Sequence, residues 1–242
     1  MMVLIWGVWL FIMSQNSDLN FNSLYANANQ ANAATNKSAP IFTMRDVAVQ
    51  RGDFVLCQGV NLALHAGDVC HLIGENGLGK TTLLSQIAGL LPVLSGEMTW
   101  HANADGVRQC VYVSHQLGIS AQLTVAQNLR FLLALYGVDT DDDVLAFALS
   151  QVGLDGLEDV SSAQLSAGQT RRVGLARLFV LTPKHAPFWL LDEPLTALDV
   201  AMVARIEARI REFAASGGAV LMTSHQPTHA SNATLDLAEF AL

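Results

Sequence analysis

The sequence predicts an α/β fold with parallel central strands, and three observations carry that reading. Strand-like and helix-like segments alternate along the chain, as they do when helices cross over between parallel strands. An apolar segment, Asp68–Ile73, opens directly into the glycine-rich loop Gly74-Glu-Asn-Gly77-Leu-Gly79-Lys80-Thr81, and a helical pattern begins at Lys80. A second apolar segment, Phe188–Leu191, ends on two adjacent acids, Asp192 and Glu193.

The elements follow in order. Residues 1–43 stand apart: Val3–Met13 is apolar, and the stretch to Ala39 is rich in Asn, Ala and Ser. No positive charge precedes the apolar run, so it does not read as an export signal. It also falls short of the roughly 20 residues that a membrane-spanning helix needs. The expectation is a disordered extension, or a start codon called too early, ahead of one domain over residues 44–242. Phe42–Gln50 and Phe54–Leu64 read as strands, Lys80–Leu91 as a helix, and Asn103-Ala-Asp-Gly106 as a hairpin turn between Trp100 and Val107. Gln109–Ser114 is a further strand. Thr124–Tyr136 and Val144–Val152 carry Leu, Phe and Val at helical spacing. The acidic run Asp139–Asp143 between them suits a solvated helix start, where carboxylates complement the helix dipole. A helix from Gly168 to about Leu181 stops before Pro183, another covers Asp199–Ala215, and Ala219–Thr223 is the next strand. No segment repeats.

Composition narrows the classes. Hydrophobic residues make up 51% and charged residues 14%, which gives a chain with ample core. Net charge is −8, with no run of Lys or Arg. Nucleic-acid binding depends on basic patches that neutralise phosphates, so that class is disfavoured. Cys57, Cys70 and Cys110 have no CxxC spacing and read as reduced core residues, not as a redox pair or metal ligands.

The chemistry sits in the loop and the paired acids. Gly74–Thr81 fits GxxxxGK[ST], in which glycines let the backbone curl so that successive N–H groups face phosphate oxygens. Gly74, Asn76, Gly77, Gly79, Lys80, Thr81 and Thr82 are therefore candidate ATP-binding residues. Lys80 would reach the β/γ oxygens, and the Thr81 hydroxyl would bind Mg²⁺. Of the paired acids, one carboxylate can hold the Mg²⁺ shell and the next can act as general base on the attacking water. Between the two motifs lies Leu165-Ser166-Ala167-Gly168-Gln169, which by itself is an ordinary helix cap with Ser166 as the capping residue.

Placed between the glycine-rich loop and the paired acids, that pentamer resembles the signature sequence of the ABC ATPases. The resemblance extends to Gln116 as the glutamine loop, to Leu198-Asp199 as the D-loop and to His225 as the switch histidine. It implies a RecA-like core with an antiparallel β subdomain and a helical subdomain of about residues 117–167. It further implies that Glu193, His225 and Gln116 serve hydrolysis, and that Thr81, Gln116 and Asp192 serve Mg²⁺. Ser166 and Gly168 would contact ATP held by a second copy of the chain in a nucleotide-sandwich dimer. Two positions depart from the pattern. Ala167 stands where a glycine is usual, and the adenine-stacking position, usually aromatic, falls near Arg51, with Phe54 as the fallback.

Finer variants resemble the ATP-binding subunits of cytochrome c biogenesis, the CcmA family, over about Met44–Leu242. They are the Ser-Ala-Gly signature, Ser114-His-Gln116-Leu-Gly118 and Ser224-His-Gln-Pro227. That likeness implies integral membrane partners, CcmB-like with CcmC-like, at the cytoplasmic face of a bacterial inner membrane. It also implies ATP hydrolysis coupled to haem export or to release of a haem-loaded chaperone. The chain has no Cys-x-x-Cys-His, and its seven His are scattered, so nothing marks a haem site of its own. The alternative is an ABC ATPase subunit of a transporter for another substrate.

Overall fold

The computed structural model describes residues 39–52, 54–101 and 110–242. The chain runs β1 (Phe42–Arg51), β2 (Phe54–Leu64), β3 (Val69–Ile73), α1 (Lys80–Ile87), β4 (Glu97–Trp100), β5 (Cys110–Val113), α2 (Val125–Ala134) and α3 (Asp142–Gln151). It continues with α4 (Ala167–Ala176), β6 (Phe188–Leu191), α5 (Val200–Ala215), β7 (Ala219–Thr223) and β8 (Ala233–Asp236). Residues 1–38 of the expected extension and the expected turn Asn103–Gly106 lie outside the described residues. Among the described residues no helix is long and apolar enough to cross a membrane.

Two sheets form. One is antiparallel, in the order β2-β1-β4; the other has the order β5-β6-β7-β3-β8 with every neighbouring pair parallel. β6 and β7 are buried along their whole length, as apolar runs must be in a sheet covered on both faces. Strand alternation sends side chains to opposite faces and so divides the core in two. Val69, Val111, Val113, Trp189, Leu191, Val220 and Met222 point to the face packed by α2–α5. Cys70, Leu72, Cys110, Phe188, Leu190, Ala219 and Leu221 point to the face covered by α1 and the antiparallel sheet. Trp189 stacks on Phe213 of α5, with ring centroids 3.7 Å apart. The three cysteines are free and buried, and burial pushes the Cys70 and Cys110 thiols up to about 12.

Local chemistry explains most boundaries. α2 and α4 each begin with a capping box, from Thr124 with Gln127 and from Ser166 with Gln169. Asp141 caps α3 by accepting from the Val144 N–H, and Asp142 pairs with Arg130 of α2 at 2.9 Å, so the acidic run is a helix start. The expected helix Lys80–Leu91 ends earlier, at Ile87. Gly89 takes φ 72°, and the N–H groups of Gly89 and Leu90 turn back to the carbonyls of Gln86 and Ser85, which closes the helix in a Schellman turn. The expected helix beyond Gly168 tightens into a 3₁₀ turn at Arg177–Phe179. β4 and β8 do not follow from sequence pattern, because neither is the uninterrupted buried run that marks β6.

Candidate active site

β5, β6, β7 and β3 lie side by side and parallel, so the loops that leave their C-terminal ends open on one edge, where open α/β sheets bind ligands. β3 delivers the glycine-rich loop, β6 the paired acids, β7 the turn to His225, and β5 the turn to Gln116. A cleft of about 210 Å³ on that edge is lined by Asn76, Gly77, Gly79, Lys80, Thr81, Thr82, Asp192, Glu193, His225, Arg51 and Leu56. Gly74 lines an adjoining hollow with Lys80, His71 and His225.

Lys80, Thr81, Asp192, Glu193 and His225 each have a definite partner. Lys80 Nζ donates to the carbonyls of Gly74 at 2.6 Å and Glu75 at 3.1 Å, which folds the ammonium over its own loop. Gly79 takes φ 99°, and a Cβ there would stand 2.7 Å from Val49 Cγ1, so only glycine lets the loop lie against β1. The Thr81 hydroxyl donates to Asp192 Oδ2 at 2.9 Å. The buried Thr223 hydroxyl donates to Asp192 Oδ1 at 2.9 Å and accepts the Glu193 N–H at 2.8 Å.

Glu193 has φ 53°, a left-handed conformation that side chains of its size rarely adopt. Its carbonyl accepts from the Arg171 guanidinium of α4. Burial pushes the Arg171 pKa down, and the carboxylates of Glu193 and Asp192 pull it back up. The Glu193 carboxylate faces the cleft, with Oε1 3.6 Å from His225 Nε2 and Oε2 accepting from Thr196 Oγ1 at 3.3 Å. His71 Nε2 lies 3.1 Å from the Ser224 carbonyl and so ties β3 to the turn that carries His225. A partly exposed carboxylate beside an imidazole, on a cleft shared with a lysine and the glycine-rich loop, suits water activation next to a bound phosphate chain.

Three of the expected residues lie elsewhere. Gln116 is exposed outside the cleft lining, where its carbonyl accepts from the Ser114 hydroxyl. Ser166 and Gly168 also lie outside it, at the exposed start of α4. Ser166 Oγ accepts the Gln169 N–H at 3.2 Å, which fills the capping role, and Gly168 faces the Ala197 carbonyl. Gly174, further along α4, packs against Leu117, so the same helix also touches the residue that follows Gln116. Of the two adenine candidates, Arg51 lines the cleft, whereas Phe54 is 77% exposed and does not. Sequence reasoning missed Leu56, Thr223 and Arg171. A signal existed for Thr223, the one polar residue of the buried strand Ala219–Thr223.

Fold and site together define a P-loop nucleotide-binding domain. The ABC transporter family model matches residues 57–196. The cytochrome c biogenesis ATP-binding export protein CcmA of Saccharophagus degradans is 41% identical over 210 residues, covering 81% of this chain and 93% of that protein. The protein of the same name from Vibrio cholerae is 41% identical over 198 residues, covering 79% and 94%. Among solved structures, an ABC transporter ATP-binding protein from Pyrococcus furiosus superposes with a TM-score of 0.72 at 25% identity, over 83% of this chain and 99% of that one. The dimeric ATP-binding cassette MJ0796, bound to ADP and Pi, has the same fold, with a TM-score of 0.68 at 22% identity over 81% and 94%. The chain belongs to the ABC transporter family of ATP-hydrolysing, nucleotide-binding subunits, and within it to the CcmA proteins of cytochrome c biogenesis.

Proposed function

We propose that this chain is the ATP-hydrolysing subunit of a cytochrome c maturation complex, coupling ATP turnover to haem export or to release of a haem-loaded chaperone. One observation carries the reading: an intact phosphate cleft in a chain whose likeness spans nearly the full length of proteins named for that process. In this reading residues 44–242 form the ATPase domain, and about 117–167 form its helical subdomain, a lid that docks membrane subunits. Those partners are CcmB-like with CcmC-like, and the protein sits peripherally at the cytoplasmic face of the bacterial inner membrane.

The site residues divide the work. Gly74, Asn76, Gly77, Gly79 and Thr82 form the phosphate cradle with Lys80, whose ammonium leaves the Gly74 and Glu75 carbonyls for the β/γ oxygens. Thr81 and Asp192, already 2.9 Å apart, are hard oxygen donors of the kind Mg²⁺ takes, with Gln116 as a further oxygen donor once its loop closes. When bound, that ion neutralises charge on the phosphates. The Glu193 carboxylate takes a proton from water as the water oxygen bonds to the γ-phosphorus and the bridging P–O bond breaks, releasing ADP. His225, beside it, bonds the γ-phosphate.

The cleft, at about 210 Å³, falls below the roughly 300 Å³ of enclosed ligand pockets and is open on one side. A second copy completes it by presenting Ser166 and Gly168 with the positive start of α4. Arg51 stacks its guanidinium on adenine. Replacing Arg51 by Ala is expected to weaken ATP affinity by about 2- to 5-fold, the scale of an exposed cation–π contact. Titration with a fluorescent nucleotide checks this, and unchanged affinity would remove Arg51 from the site.

The decisive test is haem staining of c-type cytochromes in the native host with a chromosomal Lys80→Ala allele. Loss of covalently attached haem, with apocytochrome still made, is expected. Unchanged staining would keep the ATPase and assign it to a transporter for another substrate.

A further inference from the structure

We propose that Thr223 and Arg171 are positioning residues that hold the Glu193 backbone from opposite sides and thereby aim its carboxylate into the cleft. The proposal rests on the reading of Glu193 as general base. Residues in rarely populated backbone conformations persist only where their surroundings over-determine them, and Glu193, at φ 53°, is one. It lies two residues past a four-residue buried strand, so a relaxed backbone there would turn the side chain away from His225, now 3.6 Å off.

Two buried polar side chains from separate elements meet that residue. On one side Thr223 at the end of β7, wholly buried, accepts the Glu193 N–H at 2.8 Å. The same hydroxyl donates its hydrogen to Asp192 Oδ1 at 2.9 Å, so its orientation is set by one acid and spent on the backbone of the next. On the other side Arg171 of α4, 6% exposed, donates to the Glu193 carbonyl. Packing alone would favour apolar residues at both positions, because burying a hydroxyl or a guanidinium costs free energy unless its hydrogen bonds are made. Here the Thr223 hydroxyl and one Arg171 amino group bond the N–H and the carbonyl of one strained residue, while Arg171 Nε is buried without a partner. Because α4 begins at the Ser166 cap, Arg171 also ties the helix proposed to face the partner's nucleotide to this chain's own base.

The test is a double-mutant cycle on the full chain, reading ATP affinity and single-turnover hydrolysis. Thr223→Val removes the hydroxyl at nearly constant shape. It is expected to slow hydrolysis by about 10- to 100-fold, less than loss of a general base, while ATP affinity stays within about twofold. Thr223→Ser, which keeps the hydroxyl, is expected to retain most of the rate. In a Glu193→Gln background Thr223→Val should cost nothing further, since residues that act through one another are not additive. Should Thr223→Val not fold, Arg171→Lys enters the same cycle with the same expectation. An unchanged rate in the single variant, or a loss that multiplies in the Glu193→Gln background, would overturn the positioning role. Wild-type hydrolysis by Glu193→Gln alone would instead overturn the general base.

Discussion

Glu193→Gln is expected to bind ATP as the wild type does, to hydrolyse it about 10²- to 10⁴-fold more slowly, and to accumulate as an ATP-bound dimer. Glutamine keeps the length of the side chain and can still accept from the Thr196 hydroxyl, so the left-handed backbone and its two clamps stay in place. What it loses is the ability to take a proton from water. Binding is expected to be spared because the proposed phosphate contacts come from the glycine-rich loop, Lys80 and Thr81, which line the same cleft. Loss of one negative charge beside the γ-phosphate also favours the closed, loaded form. Single-turnover hydrolysis with light scattering across a sizing column reads both effects. A variant that turned over at the wild-type rate would leave Glu193 without its assigned role.

Adding Ser166→Arg to that trapped protein is expected to abolish the dimer while leaving ATP on the monomer. Ser166 lies outside the cleft of its own chain, at the exposed start of α4, so a bulky cation there cannot block binding in cis. In a sandwich dimer it would face the partner's γ-phosphate, where an arginine side chain leaves no room for the helix start to approach. Ser166 is also the cap of α4, and losing a cap costs about 0.5–2 kcal/mol on its own. Ser166→Ala separates the two effects: it removes the cap hydroxyl without the bulk and should still dimerise, more weakly. A Ser166→Arg protein that still ran as an ATP-bound dimer would contradict the shared site.

Local elements were legible because local chemistry makes them. The glycine-rich loop needs consecutive residues only: glycines to curl, a lysine and a threonine at a helix start. β6 and β7 match the segments Phe188–Leu191 and Ala219–Thr223 residue for residue, because uninterrupted burial shows as an uninterrupted apolar run. The end of α1 was harder to place. The apolar pattern continues to Leu91, whereas the positive φ of Gly89 stops the helix, and the glycine was the available sign.

By itself, then, the sequence determined most of the strands, the Ser166 cap, the phosphate loop and most of the chemically able residues, since each depends on neighbours a few positions apart. The tertiary structure alone decided the strand order β5-β6-β7-β3, which is what brings Lys80, Asp192, Glu193 and His225 to one cleft. It showed Arg51, the sequence's first choice over Phe54, lining that cleft, and set Gln116 outside it. It also turned Thr223 and Arg171, a strand end and a helix residue in the text, into the two holders of the Glu193 peptide groups. The physical reason is that sheet order and side-chain burial come from pairings between distant segments, whose free energy belongs to the whole core and leaves no periodic trace in any one stretch of chain.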